Sequence, residues 1–163
     1  MIIRAVRESD IESLHQNRLC GLTKDETAEL VRSGIDDEHG NEACFLVAAE
    51  QGGVVGMTTV RRLGHRTCRH RAELGGFVVV PAARGIGVAR SIVEAAATRA
   101  AGWGCSILEV SCRGGTHAEN AYLGLGFQVW GRLAGGYHDR DGLVFDEVRL
   151  WMSIAPDRPP QIP

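Results

Sequence analysis

The sequence predicts a single α/β (α+β) domain, and three observations carry that prediction. Strand-like apolar runs alternate with helix-like runs along most of the chain. Two β-rich runs, "ACFLVAAE" and "VVGMTTVRRL", flank a Gln51-Gly52-Gly53 turn and read as a hairpin. The length of 163 residues suits one domain and is short for two. A chain of this size buries about two-thirds of its extended surface on folding, so its core needs neither metal nor disulfide.

The elements follow in order. "IIRAVRE" alternates and predicts an edge strand. Ser9 and Glu12 have capping-box spacing, which predicts a helix from Asp10 to Leu19. "TKDETAELVRSG" predicts a second helix, capped by Thr23 and stopped at Gly34. After the hairpin, "HRAELGGFVVVP" is a strand with Gly75 and Gly76 in its middle, where glycine marks a bulge or a close approach. Ile86 to Ala101 is a helix ending at Gly102, "CSILEVSC" a buried strand and "THAENAYLGLG" a short helix. "FQVWGRL" and "VFDEVRLWMSI" are closing strands around the loop "AGGYHDRDGL". The domain is expected to span residues 1–154, with 155–163 a proline-rich flexible tail.

Composition narrows the function classes. The formal net charge is -2, without the basic excess of a nucleic-acid-binding protein. No apolar stretch approaches a membrane span, and the N-terminus turns polar too early for a signal peptide. The five cysteines are scattered with no C-x-x-C pair, which predicts reduced thiols and a cytoplasmic setting. "HRTCRH" brings His65, Cys68 and His70 together. A zinc site needs a second ligand pair and tolerates poorly the interleaved Arg66, Arg69 and Arg71, so no metal is expected. The segment reads as an exposed basic loop that would suit an anionic phosphate or an acidic substrate. Trp103, Trp130 and Trp151 are spaced as packing residues.

The stretch "FVVVPAARGIGVARSIV" poses the central question. A helix that starts just after a strand presents unpaired N–H groups and the positive end of its dipole. Gly85 and Gly87 clear the approach to those groups and Arg84 adds a cation, so the turn can hold a diphosphate. The dinucleotide fingerprint and the P-loop both fail on spacing. On spacing alone, an ordinary strand-to-helix turn remains an equal reading.

Neighbouring residues add a resemblance. Arg84-x-x-Gly87-x-Ala89 after the strand-ending Pro81 resembles the acyl-CoA pyrophosphate loop of the GNAT acetyltransferase superfamily. "IIRAVRESDIESL" is similar to its first strand and helix, and "FLVAAEQGGVVGMTTV" to its central hairpin. "AENAYLGLGF" is similar to its Tyr-x-x-x-Gly-Phe signature, here Tyr122, Gly126 and Phe127. The match runs in order from Ile2 to Ile154. "RAELGGFVVVPAARGIG", with Gly136-Tyr137 and Asp141-Gly142, is similar more narrowly to bacterial small-molecule acetyltransferases such as the tabtoxin resistance enzyme.

That resemblance implies a mixed, mostly antiparallel sheet of six to seven strands flanked by about four helices, with acetyl-CoA as cosubstrate and homodimers common. It implies that Phe77, Val78 and Val79 hold the pantetheine arm in a splay beside "CSILEVSC". An N–H near Val79 would polarise the thioester, and Arg84, Gly85, Ile86, Gly87, Val88 and Ala89 would hold the pyrophosphate. Tyr122 matches the tyrosine that protonates the departing sulfur, although packing alone would also explain it. Glu73 matches a glutamate used as base in some members, provided that it is partly buried; a solvated carboxylate or a partner for Arg71 is the other reading. Where many members carry a cofactor-contacting asparagine, this chain has Gly115. Asn120 is out of register, and His117 reads as an exposed helix-start residue. Cys112 is not expected to carry an acyl group, because the implied transfer is direct. Tyr137 and His138, with Asp139 and Asp141 in the polar loop, are candidates for contact with the acceptor, expected to be a small-molecule primary amine. "CGLTKDETAEL" is a second candidate wall. A peptide acceptor and a non-catalytic acyl-CoA-binding domain are the alternatives.

Overall fold

The structure, a computed structural model, describes residues 1–40 and 42–155. The expected tail falls almost wholly outside them. Seven strands form one sheet: β1 (Ile2–Ala5), β2 (Ala43–Glu50), β3 (Gly53–Arg62), β4 (Arg71–Val79), β5 (Ile107–Arg113), β6 (Gln128–His138) and β7 (Val144–Ser153). Their order is β1-β2-β3-β4-β5-β7-β6. Only β4 and β5 run parallel, and the other neighbours are antiparallel. Four α-helices accompany the sheet: α1 (Ile11–Gln16), α2 (Lys24–His39), α3 (Val88–Gly102) and α4 (His117–Gly124). The expected single α/β domain with a mixed, mostly antiparallel sheet is what the chain forms.

Alternation along the strands divides the core in two. Cys44, Leu46, Val60, Leu74, Leu108 and Val110 point to the face packed by Val93, Ala96 and Ala100 of α3 and by Tyr122 of α4. Phe45, Val47 and Met57 point to the other face, against Leu14 of α1 and Val31 of α2. Together α1 and α2 cover the β2–β3 half of that second face. Further along it, β5, β7 and β6 carry Glu109, Ser111, Arg149 and Trp130, none of them buried.

Several local expectations are corrected. The first helix is shorter than expected: a 3-10 turn over Glu8–Asp10 precedes α1, which ends at Gln16. Its start is fixed by Asp10 rather than by Ser9. The Asp10 carboxylate accepts the Arg7 N–H at 2.8 Å and forms two 2.7 Å bonds with the Arg4 guanidinium. Thr23 does cap α2 in a reciprocal box with Glu26, but the helix runs through Gly34 to His39. Gly34 is buried inside α2 because a β-carbon there would lie 2.8 Å from the Phe45 β-carbon. Close packing of helix on sheet, not chain termination, explains this glycine.

The last connection is also shorter than expected. Ala134 to His138 belong to β6, and only Asp139 to Leu143 link it to β7. The register slips by two residues between Leu133, opposite Glu147, and Tyr137, opposite Phe145. Such an irregularity bends a strand and re-aims its side chains. Trp130 is no packing residue: it is 49% exposed, with the Arg71 and Arg149 guanidinium groups each 5.9 Å from its ring centroid. All five cysteines are unpaired. Among the described residues no helix is long and apolar enough to cross a membrane.

Gly34→Ala tests the packing explanation. Alanine is the better helix former by about 1 kcal/mol, whereas overpacking a close contact costs about 1–3 kcal/mol. Denaturant unfolding should show a net loss of stability; an unchanged or raised midpoint would show that the Phe45 contact yields freely.

Candidate active site

The site begins where β4 and β5 part. Their pairing runs from Arg71–Ile107 to Leu74–Val110 and stops. From Gly75 onward, β4 stays paired only with β3, through Val78–Met57 and Val79–Gly56. One extra residue in β4 forms a bulge between the Gly75–Thr59 and Val78–Met57 pairs, with Gly76 at φ +56°. A side chain at Gly76 would be strained in that left-handed conformation. At Gly75 a β-carbon would lie 2.7 Å from the Thr59 hydroxyl. The Gly75 carbonyl instead accepts hydrogen bonds from the Thr58 and Thr59 hydroxyls at 3.0 and 3.1 Å. The two glycines expected to mark a bulge therefore do so, and both are needed for it.

The bulge reverses the alternation of β4. Ala72 and Leu74 face α3 and α4, and so, after the extra residue, do Phe77 and Val79. A cleft of about 560 Å³ opens beside them. Phe77, Val78 and Val79 form one wall, Arg84, Gly85, Gly87, Val88, Ala89 and Arg90 a second, and α4 with His117, Ala118, Ala121, Tyr122 and Leu125 a third. All the sequence-predicted cofactor residues line it except Ile86, which is 68% exposed at the crest of the loop.

The loop is built to present backbone donors. Pro81 opens a 3-10 turn over Pro81–Ala83 that ends β4. Gly85 and Gly87 follow with φ +77° and +92°, and no atom lies within 4 Å of a β-carbon built on either. The N–H groups of Gly85, Ile86 and Gly87 find no acceptor among the described residues, and the first N–H groups of α3 lack intrahelical partners by construction. The charged side chains of the cleft are Arg84 and Arg90, with His117 beside them, and no carboxylate lines it. Arg84 Nε donates to the Val79 carbonyl at 3.2 Å, and Arg90 donates to the Gly124 carbonyl at 3.3 Å, joining α3 to α4. These donors, cations and clear approach fit a pyrophosphate.

Tyr122 closes the inner end. It is 6% exposed and meets Phe77 and Phe127 edge-on, at 5.7 and 5.6 Å between centroids. Its hydroxyl has no hydrogen-bond partner among the described residues. Burial pushes its phenol well above the ordinary value, and Cys112 and Tyr137 push it the same way. Cys112 is itself buried, which raises its thiol and makes it a poor nucleophile.

The remaining expected residues lie elsewhere. Glu73 is exposed rather than partly buried and sits on the opposite sheet face, aligned with Glu109. Arg71 does not pair with it; its guanidinium forks onto Glu109, with Nη2 to Oε2 at 2.7 Å. Tyr137 is half-buried, and its hydroxyl lies 2.8 Å from Ser111 Oγ. His138 adjoins it on β6, exposed and opposite Val144. Asp139 is paired with Arg113 at 2.5 Å, and Asp141 is exposed in the final turn. The basic "HRTCRH" loop joins β3 to the start of β4, whereas the Arg84 loop follows its end. A nine-residue strand, roughly 30 Å long, separates them, so that loop contributes no cation to the cleft. The segment from Cys20 does approach the bulge: Cys20 Sγ is 3.5 Å from Met57 Sδ, and Met57 packs under Gly76. Sequence reading missed Arg90, Ala118, Ala121 and Leu125 and discounted His117. The spacing of 118, 121, 122 and 125 along one side of α4 is the signal that reveals them.

Because the Tyr122 hydroxyl has no protein partner, Tyr122→Phe should unfold within about 0.5 kcal/mol of the parent. Phe77→Ala should lose about 3 kcal/mol or more. A large stability loss in Tyr122→Phe would reveal a structural hydrogen bond.

Comparison with known proteins agrees with this geometry. The acetyltransferase (GNAT) family model matches residues 11–127, well over half of the chain. A Salmonella typhimurium acetyltransferase that modifies the N-terminal serine of ribosomal protein L7/L12 superposes with TM-score 0.79 at 20% identity, over 94% of each chain. A spermidine N-acetyltransferase chimera, from Vibrio cholerae and hSSAT, gives 0.76 at 18%, over 94% of this chain and 96% of that one. A putative acetyltransferase from Salmonella typhimurium, solved with its cofactor acetyl-CoA, gives 0.76 at 16%, over 98% and 97%. A search of curated proteins finds no match. A sheet splayed after Leu74, a donor-rich loop at the head of α3 and the family match lead to one conclusion: the chain belongs to the GNAT acetyltransferase family, as an acetyl-CoA-dependent N-acetyltransferase.

Proposed function

We propose that the chain transfers the acetyl group to a primary amine by direct attack, with the cofactor in the cleft and the amine entering from the opposite face of the sheet. The observation that carries this reading is the lining of the cleft, which offers cations and free N–H groups without a carboxylate. Acetyl-CoA supplies an anionic handle and an acetyl thioester. The N–H groups from Gly85 to Ala89 hold the pyrophosphate, with the Arg84 and Arg90 side chains adding charge; the Arg84 N–H itself is given to the Pro81 carbonyl at 3.2 Å. The free β5-side edge of Phe77–Val79 hydrogen-bonds the pantetheine arm, and an N–H near Val79 polarises the carbonyl.

Four residues then manage the protons and the acceptor. Tyr122 donates its phenol proton to the departing sulfur and is reprotonated by solvent. Its raised pKa keeps that proton in place across neutral pH. Glu73 takes the proton of the incoming ammonium, so that the neutral nitrogen forms the N–C bond as the C–S bond breaks. Exposed, it acts through water or after the acceptor has covered it. Tyr137 stands on the acceptor side, and His138 beside it serves the outer part of the acceptor. A small-molecule amine is favoured by the narrow similarity around Gly136-Tyr137. The fold neighbours named for a ribosomal protein and for spermidine make a peptide N-terminus and a polyamine the acceptors to test beside it.

The test is an acetyl-CoA turnover screen against amino acids, aminoglycosides, polyamines and peptides with free N-termini. Transfer to one class supports the reading; binding of CoA without transfer to any would identify a binding domain. With an acceptor in hand, Tyr122→Phe should lower kcat about 100-fold at unchanged acetyl-CoA affinity. Arg84→Glu should instead raise the acetyl-CoA KM about tenfold or more. Glu73→Gln should remove the limb of the pH–rate profile on which activity rises with pH; an intact limb would exclude Glu73 as base.

A further inference from the structure

We infer that the Ser111–Tyr137 hydroxyl pair, facing the side-chain-free gap at Gly75–Gly76, is the amine-binding element of the acceptor side. This inference rests on the transfer reading above and specifies its acceptor half.

Ser111 is the first β5 residue beyond Val110, the last to pair with β4. On its strand it shares a face with Glu109, opposite the buried Val110 and Cys112. Continuing the parallel register places Gly75 across from it. Two neighbouring positions of β4 thus lack side chains where β5 offers a hydroxyl. At this parting of the strands Glu73 lies on the same face as Ser111, and Phe77 and Tyr122 line the cleft on the other.

Tyr137 reaches this point through an unusual backbone. The two-residue slip of β6 contains Gly135 at φ +64°, whose N–H donates to Asp146 Oδ1 at 3.2 Å. At Gly136 a β-carbon would lie 2.6 Å from that of Glu147. Both glycines are required by this bend, and its outcome is a phenol 2.8 Å from a serine on β5, with β7 in between. The chain has two tyrosines, and both stand at the splay: Tyr122 on the cofactor side and Tyr137 on the acceptor side.

A hydrogen-bonded hydroxyl pair uses one donor and one lone pair internally. It keeps three lone pairs and one O–H, a set richer in acceptors than in donors. That set suits a group with several N–H bonds, such as a primary ammonium, better than a carboxylate or a phosphate. Glu73 on the same face adds the matching charge, for Glu109 is already neutralised by Arg71. Bound there, a primary amine has its nitrogen at the mouth of the gap and its substituent over the open face toward Trp130.

The experiment labels the tyrosine rings of the full-length chain with carbon-13, which gives two signals that Tyr137→Phe assigns. CoA alone should move chiefly the Tyr122 signal. n-Butylamine, a diamine or a seryl tripeptide, added at millimolar concentration to the CoA complex, should then move the Tyr137 signal saturably. Ser111→Ala should weaken that amine binding about tenfold, as loss of a charged hydrogen bond does, at unchanged CoA affinity, and Ser111→Thr should restore it. A Tyr137 signal unmoved by all three amines, or an equal loss of CoA affinity in Ser111→Ala, would overturn the inference. If CoA moves neither tyrosine, the cofactor reading itself has failed.

Discussion

The parting of β4 from β5 after Leu74–Val110 is the constraint on which the rest of the site depends. An interrupted ladder inside a sheet leaves backbone groups without partners, which is costly unless something else satisfies them. Here β3 compensates on one side: Thr58 and Thr59 bond the Gly75 carbonyl, and Val78 and Val79 remain paired. On the other side the edge of Phe77–Val79 has no strand partner among the described residues, and only the Val79 carbonyl is engaged, by Arg84 Nε. The same bulge turns Phe77 toward Tyr122. One inserted residue thus produces a free strand edge and an aromatic end wall, and both adjoin the loop that heads α3.

The two sheet faces then divide the chemistry by charge. On the α3–α4 side the cleft gathers Arg84, Arg90 and the unpaired N–H groups of a helix start. On the other side the nearby cations are already engaged: Arg71 by Glu109, Arg149 by Glu147, and both against Trp130. Glu73 has no ion-pair or hydrogen-bond partner among the described residues. An anionic donor and a cationic acceptor would therefore approach from opposite faces without competing for one another's partners.

Much of this was legible in the sequence, and the exceptions have physical reasons. The Gly75–Gly76 bulge and the Gly85–Gly87 turn follow from glycines whose local conformational demands are strong, whereas Tyr122 stood out only through its resemblance to the family signature. Gly34 misled because a glycine required by tertiary contact looks, in sequence, like one that ends a helix. Ala134–His138 misled because a strand bent by two glycines has the composition of a loop. Trp130 was read as core because spacing does not reveal which sheet face the helices leave bare. Glu73 stood open between a partly buried base and a solvated carboxylate, because nothing in one strand's sequence shows that α1 and α2 pack chiefly over β2 and β3. The Ser111–Tyr137 contact joins residues 26 apart, on strands whose order in the sheet differs from their order in the chain.

The central claim, that this splay and loop form the acetyl-CoA site, is tested most directly by following backbone amide signals of the full chain during titration with acetyl-CoA. The account predicts that the amides of Phe77 to Val79 and of Arg84 to Ala89 shift most and saturate together, while those of the "HRTCRH" loop remain still. Largest shifts at that basic loop, or on the open face of β6 and β7, would contradict it.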